Sequence, residues 1–267
     1  MSNLWEYRNL IVKIATTDLM LRYKNSILGF LWSLLQPLLI FIVLLVIFGS
    51  MFDNASIEYY PLYLLLGVIS WGLLDKGTNF SLNSIVGKSN LIKKIYFPRE
   101  VLVLSACLTA LMMTFIELIV FLCLVPIYIL VSGKVILPGA DLLLFPIVLL
   151  VEFVIVVGIS LGIAALNVRY RDIQWIWGVI MYAGFFATPI MYSLTVFKNQ
   201  TVAHIVSYNP IGVLIGLLRN TSIYSGNPVS YPVDFATLGF VIIFSVIVLV
   251  LGWLVFIRIE PTFAEEV

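Results

Sequence analysis

Asn167–Tyr192 reads NVRYRDIQWIWGVIMYAGFFATPIMY. Arg169, Arg171 and Asp172 crowd into a short polar turn, and the aromatic-rich apolar run after it stops at Thr188-Pro189. The segments on either side are long enough to cross a bilayer. The turn therefore joins two spans, and its arginines mark the cytoplasmic side.

The whole chain agrees with that reading. Of its 267 residues, 62% are hydrophobic and 11% charged, against about 25% charged in soluble domains. The mean hydropathy is +1.11. These values describe an integral membrane protein with one membrane domain and no room for a separate soluble catalytic domain. A formal charge of +1 offers no electrostatic basis for nucleic-acid binding. Cys107 and Cys123 share one apolar run and would stand about 24 Å apart on a helix, too far to pair. With His204 the single histidine, no metal-ligand spacing is present. Charges from Met1 to Lys24 argue against a cleavable signal peptide.

In chain order, residues 1–25 form an N-terminal amphipathic interfacial helix, with Tyr7, Ile11, Ile14 and Leu21 on one face. A membrane domain follows over 26–258 and a cytoplasmic tail over 259–267. The first span runs from Ile27 to Phe52 with Gln36-Pro37 inside it, and Tyr59, Tyr60 and Pro61 form an interfacial belt opening the second. In that second span Asp75, Asn79 and Asn83 recur every fourth residue, beside Lys76. This face must look into protein or water, as the polar wall of a pathway or as a buried interhelical network. The loop GKSNLIKKIYFPRE (Gly87–Glu100) holds the densest positive cluster, Lys88, Lys93, Lys94 and Arg99, and reads as a short cytoplasmic helix stopped by Pro98. Gly87-Lys88-Ser89 is not a phosphate loop, because the pattern needs a glycine where Leu82 stands.

Val101–Val131 and Leu142–Leu166 are the third and fourth spans, carrying Glu117 and Glu152. Those carboxyls are either proton-relay groups or buried, protonated, hydrogen-bonded structural residues. Gly158 and Gly162 form a weak small-residue packing motif. Ile173–Ile190 is the fifth span, with Trp175 and Trp177 as anchors at its cytoplasmic mouth. Tyr182, Phe185, Phe186 and Tyr192 are either helix packing or platforms for sugar faces. The broken apolar pieces between Tyr192 and Asp234 suggest re-entrant or interfacial outer helices, and Phe235–Ile257 is the last span.

The expected fold is thus all-α integral membrane, with about six transmembrane helices. Both termini then share one face with Arg8, Lys13, Arg22, Lys24, Lys88, Lys93, Lys94, Arg99, Arg169, Arg171 and Arg258. Lys134, Lys198 and Arg219 fall on the other, and that asymmetry makes the first face cytoplasmic. No inverted repeat is visible, which counts against a secondary transporter.

Six motifs, in order and spacing, carry a resemblance over nearly the whole chain: LRYKNSILGFLWSLLQPLL (Leu21–Leu39), LIKKIYFPRE (Leu91–Glu100), NVRYRDI (Asn167–Ile173), TPIMY (Thr188–Tyr192), YNPIGVLIGLLRN (Tyr208–Asn220) and the ending EPTFAEEV. The chain resembles the permease subunit of type-2 ABC exporters for cell-surface polysaccharides, of the O-antigen type, with teichoic acid and capsule exporters as relatives. The resemblance implies a homodimer with a channel between the copies and two separately encoded ATPase subunits on the cytoplasmic face. It implies a bacterial inner-membrane location and a polyprenyl-diphosphate-linked glycan as substrate. It also implies that the chain lacks its own ATP site and cofactor, with ATP and Mg held by the partners. The segment Asn90, Leu91, Ile92, Lys93, Lys94, Ile95 and Tyr96 would be the coupling helix.

A diphosphate head needs cations at the cytoplasmic mouth. Arg22, Lys24, Arg169 and Arg171 are the expected hosts, and Tyr182, Phe185, Phe186 and Tyr192 the expected glycan contacts. The competing expectations are a proton-coupled carrier using Asp75, Glu117 or Glu152, and a membrane enzyme, for which no paired acid–base or metal constellation is found.

Overall fold

The computed structural model describes residues 4–24, 31–51, 57–88, 97–133, 136, 139–194, 197, 199–224 and 233–263. Among them the chain forms nine α-helices and no strand: α1 (Arg8–Tyr23), α2 (Trp32–Met51), α3 (Tyr60–Leu82), α4 (Glu100–Ser132), α5 (Phe145–Arg169), α6 (Ile173–Ala187), α7 (Gln200–Ser207), α8 (Pro210–Ser222) and α9 (Phe235–Ile259). The expected coupling segment Asn90–Tyr96 lies outside the described residues, between a 3-10 turn at Val86–Lys88 and the start of α4.

Among the described residues four segments are long and apolar enough to cross a bilayer: α2, α4, Ala140–Arg169 (which contains α5) and α9. The expected count of six also took in α3 and α6. α3 has 23 residues, about 34 Å of helix, but it is too polar to pass as a lipid-facing span. It is buried on nearly every side by its neighbours, so its polar residues meet protein instead of lipid. α6 has 15 residues, about 22 Å, and ends where Thr188-Pro189 breaks the helix. α7 and α8 meet at an 80° bend, the geometry of a broken span or a re-entrant loop, at the place where the sequence suggested re-entrant outer helices.

α3 and α5 form the centre, and α4, α8 and α9 pack around them. The tightest crossing is α5 on α9. A Cβ on Gly252 would overlap the Gly158 carbonyl, and one on Gly158 would sit 2.7 Å from the Leu249 backbone. Gly162 is only in ordinary contact with Gly252, at 3.6 Å. The motif seen in sequence is therefore half of the contact, and Gly252 on another helix supplies the rest.

α1 packs on α4 by Tyr7, Leu10, Ile11 and Ile14 against Phe97, Val101 and Leu102, with the Thr109 hydroxyl donating to the Ala15 carbonyl. Leu21 is not part of that contact and stays exposed. At the same end Asp18 pairs with Lys88 at 2.5 Å, Asn167 donates to the Leu82 carbonyl at 2.8 Å, and Arg99 donates to the Glu260 carbonyl at 2.7 Å. Those contacts gather Arg22, Lys88, Arg99, Arg169, Arg171 and Arg258 at one end of the bundle.

Asp234 caps α9, its Oδ1 accepting from the Thr237 N–H at 2.7 Å. Hydrogen bonds from Thr237, side chain first and then backbone, hold this exposed carboxyl below the usual carboxylate range. A depressed folded value means the cap stabilises above the unfolded value of about 3.9 and is lost as pH falls through the folded one. Asp234→Ala is expected to melt earlier than the parent at neutral pH, and the gap should close in acid. A gap independent of pH in paired thermal melts would show that the carboxylate is not the capping group.

Candidate functional site

α2, α3, α4 and α6 enclose a groove of about 520 Å³, within the range of small-ligand sites. α3 supplies Trp71, Gly72, Asp75 and Lys76; α4 supplies Met113 and Glu117; α6 supplies Met181, Tyr182, Phe185 and Phe186; α2 supplies Ser33 and Gln36. The fourfold spacing from Trp71 to Asp75 stacks an aromatic and a carboxylate on one side of α3. Gly184 leaves room for the Trp71 ring, which would stand 2.9 Å from a Cβ there. Gly72 gives the Lys76 ammonium space to fold back toward α4.

The Lys76 ammonium donates to both oxygens of Glu117 at 2.6 Å. Glu117 is 3% exposed and Lys76 17%, so this ion pair links α3 to α4 from the groove wall. Glu117 is thus a buried, hydrogen-bonded carboxyl, and its partner is a lysine on another helix. Asp75 Oδ1 accepts from Asn79 at 2.8 Å, as their spacing implied. Glu152 lies away from the groove on α5 and accepts from Ser70 at 2.6 Å, a structural contact.

The pair is testable by a double-mutant cycle. Lys76→Met and Glu117→Gln each strand one buried partner and should cost about 1–3 kcal/mol. The double variant should lose clearly less than the sum. Additive losses in thermal unfolding would mean that the ion pair contributes nothing.

The expected aromatic residues separate. Tyr182, Phe185 and Phe186 line the groove and pack edge to face on one another, with Phe185 against Trp71. Tyr182 is 72% exposed. Tyr192 does not line the groove; its hydroxyl donates to the Phe186 carbonyl at 2.9 Å and its ring packs on Phe197. Trp177 is no lipid anchor, because its Nε1–H donates to the Thr78 hydroxyl at 2.9 Å. Trp175 is exposed, as an anchor would be.

A second crevice of about 360 Å³ opens at the basic end, lined by Asp18, Arg22, Phe80, Asn83 and Lys88 among others. The Arg22 guanidinium lies 3.4 Å over the Phe80 ring. Of the four expected diphosphate hosts only Arg22 lines this crevice. Lys24, Arg169 and Arg171 are exposed and do not line it. Lys88, by sequence one more loop cation, joins Arg22 there in its pair with Asp18.

At the opposite end Arg219 is 2% exposed. Its guanidinium donates to the carbonyls of Tyr63 (3.0 Å), Pro189 (2.9 Å) and Ile190 (2.7 Å) and lies 3.4 Å over the Tyr63 ring. The Tyr60 hydroxyl donates to Met191 O and the Tyr63 hydroxyl to Tyr192 O. Asn209, which caps α8, donates to the Thr188 hydroxyl at 2.9 Å. Successive carbonyls from Pro189 to Tyr192 are thus each held where α6 ends, and Tyr60 is a buried donor instead of the interfacial residue expected. Gly67 makes this possible, since a Cβ there would overlap the guanidinium.

Residues 10–223 match the ABC-2 type transporter family. An O-antigen export system permease protein RfbA of Klebsiella pneumoniae is 28% identical over 98% of this chain and 96% of its own length, and a second from the same organism is 27% identical over the same shares. A protein of that name from Myxococcus xanthus is 29% identical over 78% of each chain.

Proposed function

Because this chain belongs to the ABC-2 type transporter family, a multi-pass membrane component of a transporter, we propose that it is the channel-forming permease of an ATP-driven exporter of polyprenyl-diphosphate-linked, O-antigen-like polysaccharide. The observation that carries this reading is the groove, in which Trp71, Tyr182, Phe185 and Phe186 face Asp75, Lys76 and Glu117. Apolar rings with a few convergent polar groups suit a sugar, whose C–H faces pack on aromatics and whose hydroxyls pair with carboxylate and amide. The relatives' names as O-antigen export permeases support the O-antigen class, with teichoic acid and capsular polysaccharide as the neighbouring substrates.

In this reading a second copy closes the groove into a channel, and the exposed face of α6, with Trp175, Val179 and Tyr182, is available for that contact or for lipid. Two separate ATPase subunits carry ATP and Mg, and Asn90–Tyr96 receives their motion. The basic end faces the cytoplasm of a bacterial inner membrane, in line with the positive-inside rule. Arg22 with Lys88, and then Lys24, Arg169 and Arg171, meet the diphosphate there by charge-assisted hydrogen bonds.

The test is co-purification of the chain with a candidate ABC ATPase, followed by hydrolysis assays in lipid. A two-plus-two complex whose ATP turnover rises with lipid-linked glycan is the expected result. A chain that transports alone on a proton gradient would overturn the reading. Arg169→Ala with Arg171→Ala is expected to weaken binding of the lipid-linked precursor about tenfold, the equivalent of one lost charged contact. Unchanged precursor binding would remove the diphosphate role from that turn.

A further inference from the structure

We propose that the groove selects for uncharged glycan chains and discriminates against polyanionic ones such as polyol-phosphate or uronate polymers; the inference rests on the exporter reading above. Among the described residues, the acidic and basic side chains lining the groove are Asp75, Lys76 and Glu117. The ammonium is held by both Glu117 oxygens at 2.6 Å, which leaves the Asp75 carboxyl as the remaining charged group. The groove wall therefore has no surplus cation. A polymer with a charge on every repeat would have to strip its anions of water beside carboxylates, in a wall of low dielectric where like charges repel strongly.

A neutral sugar meets the opposite balance. Trp71, Tyr182 and Phe186 present ring faces and edges to its C–H surface, while its hydroxyls donate to Asp75 and accept from the Gln36 amide. The Arg22 guanidinium lines the separate crevice at the basic end, beside Lys88 in its pair with Asp18. The structure thus separates two recognition tasks. One diphosphate per molecule meets the basic mouth, and the chain behind it passes a wall that tolerates no repeated negative charge.

The experiment uses the full chain reconstituted with its partner ATPase in vesicles. Three polyprenyl diphosphate probes are compared, bearing a neutral hexose oligomer, a hexuronate oligomer of equal length, or a polyol-phosphate oligomer. Stimulated ATP hydrolysis and translocated probe are both read. The neutral probe is expected to be moved at least about tenfold faster, with the ratio shrinking at high salt.

Asp75→Asn, which leaves the Lys76–Glu117 pair in place, should narrow the ratio. Asp75→Asn with Glu117→Gln, which frees the ammonium, should narrow it further. Acidic probes moved as fast as the neutral one, or a ratio that neither variant changes, would overturn the inference and leave the exporter reading standing. A complex that hydrolyses ATP yet moves none of the three probes would overturn both.

Discussion

Arg219→Met is expected to lower the stability of the folded chain by about 3–5 kcal/mol, the cost of stranding groups that a buried charge had satisfied. The side chain donates to the carbonyls of Tyr63, Pro189 and Ile190 at 2.7–3.0 Å in a site from which water is excluded. Methionine fills the volume and removes every donor. The carbonyls at the end of α6 then lose their partners at the point where Thr188-Pro189 has already ended the helix.

Arg219→Lys is the informative companion. It keeps the charge, but one ammonium on a shorter, flexible stem cannot reproduce a planar fork that reaches three carbonyls and lies on the Tyr63 ring. It should fall between the parent and Arg219→Met in thermal melts followed by size-exclusion profile. A methionine variant that melts with the parent would show that the tie between α3, α6 and α8 contributes nothing.

The second large effect is expected at Gly252. Any Cβ there overlaps the Gly158 carbonyl. The obstacle is backbone and cannot rotate away, so α5 and α9 must separate along their whole contact. Gly252→Val should cost more than 3 kcal/mol, above the usual range for overpacking because two helices move instead of one side chain. Gly162→Ala is the control: its Cβ would meet Gly252 Cα at an ordinary 3.6 Å, so its effect should be small. Equal losses in the two variants would mean that general helix propensity, and not this crossing, sets the effect.

Much of the site was legible residue by residue and little of it as an arrangement. The polar face of α3 was visible from the spacing of Asp75, Asn79 and Asn83, and the Asp75–Asn79 contact follows from helix geometry alone. Glu117 was visible as an oddity in an apolar run. That it pairs with Lys76 was not, because 41 positions separate them and no local period links residues on different helices. Arg219 was read as a stray cation on the outer side, and Lys88 as a topogenic one. Each acquires its role from partners on helices distant in sequence.

Besides the family, which the ordered motifs carry, composition and period determined the class, the approximate ends of the long helices and the gathering of cations at one end. These depend on how each segment partitions between water and lipid, a local property summed along the chain. The tertiary structure alone decided which polar groups face one another: Lys76 with Glu117, Arg22 with Lys88 and Asp18, Arg219 with the end of α6, Gly158 with Gly252. In a bundle with little hydrophobic force between its helices, packing and hydrogen-bond geometry set those pairings, and both arise only once the helices have met.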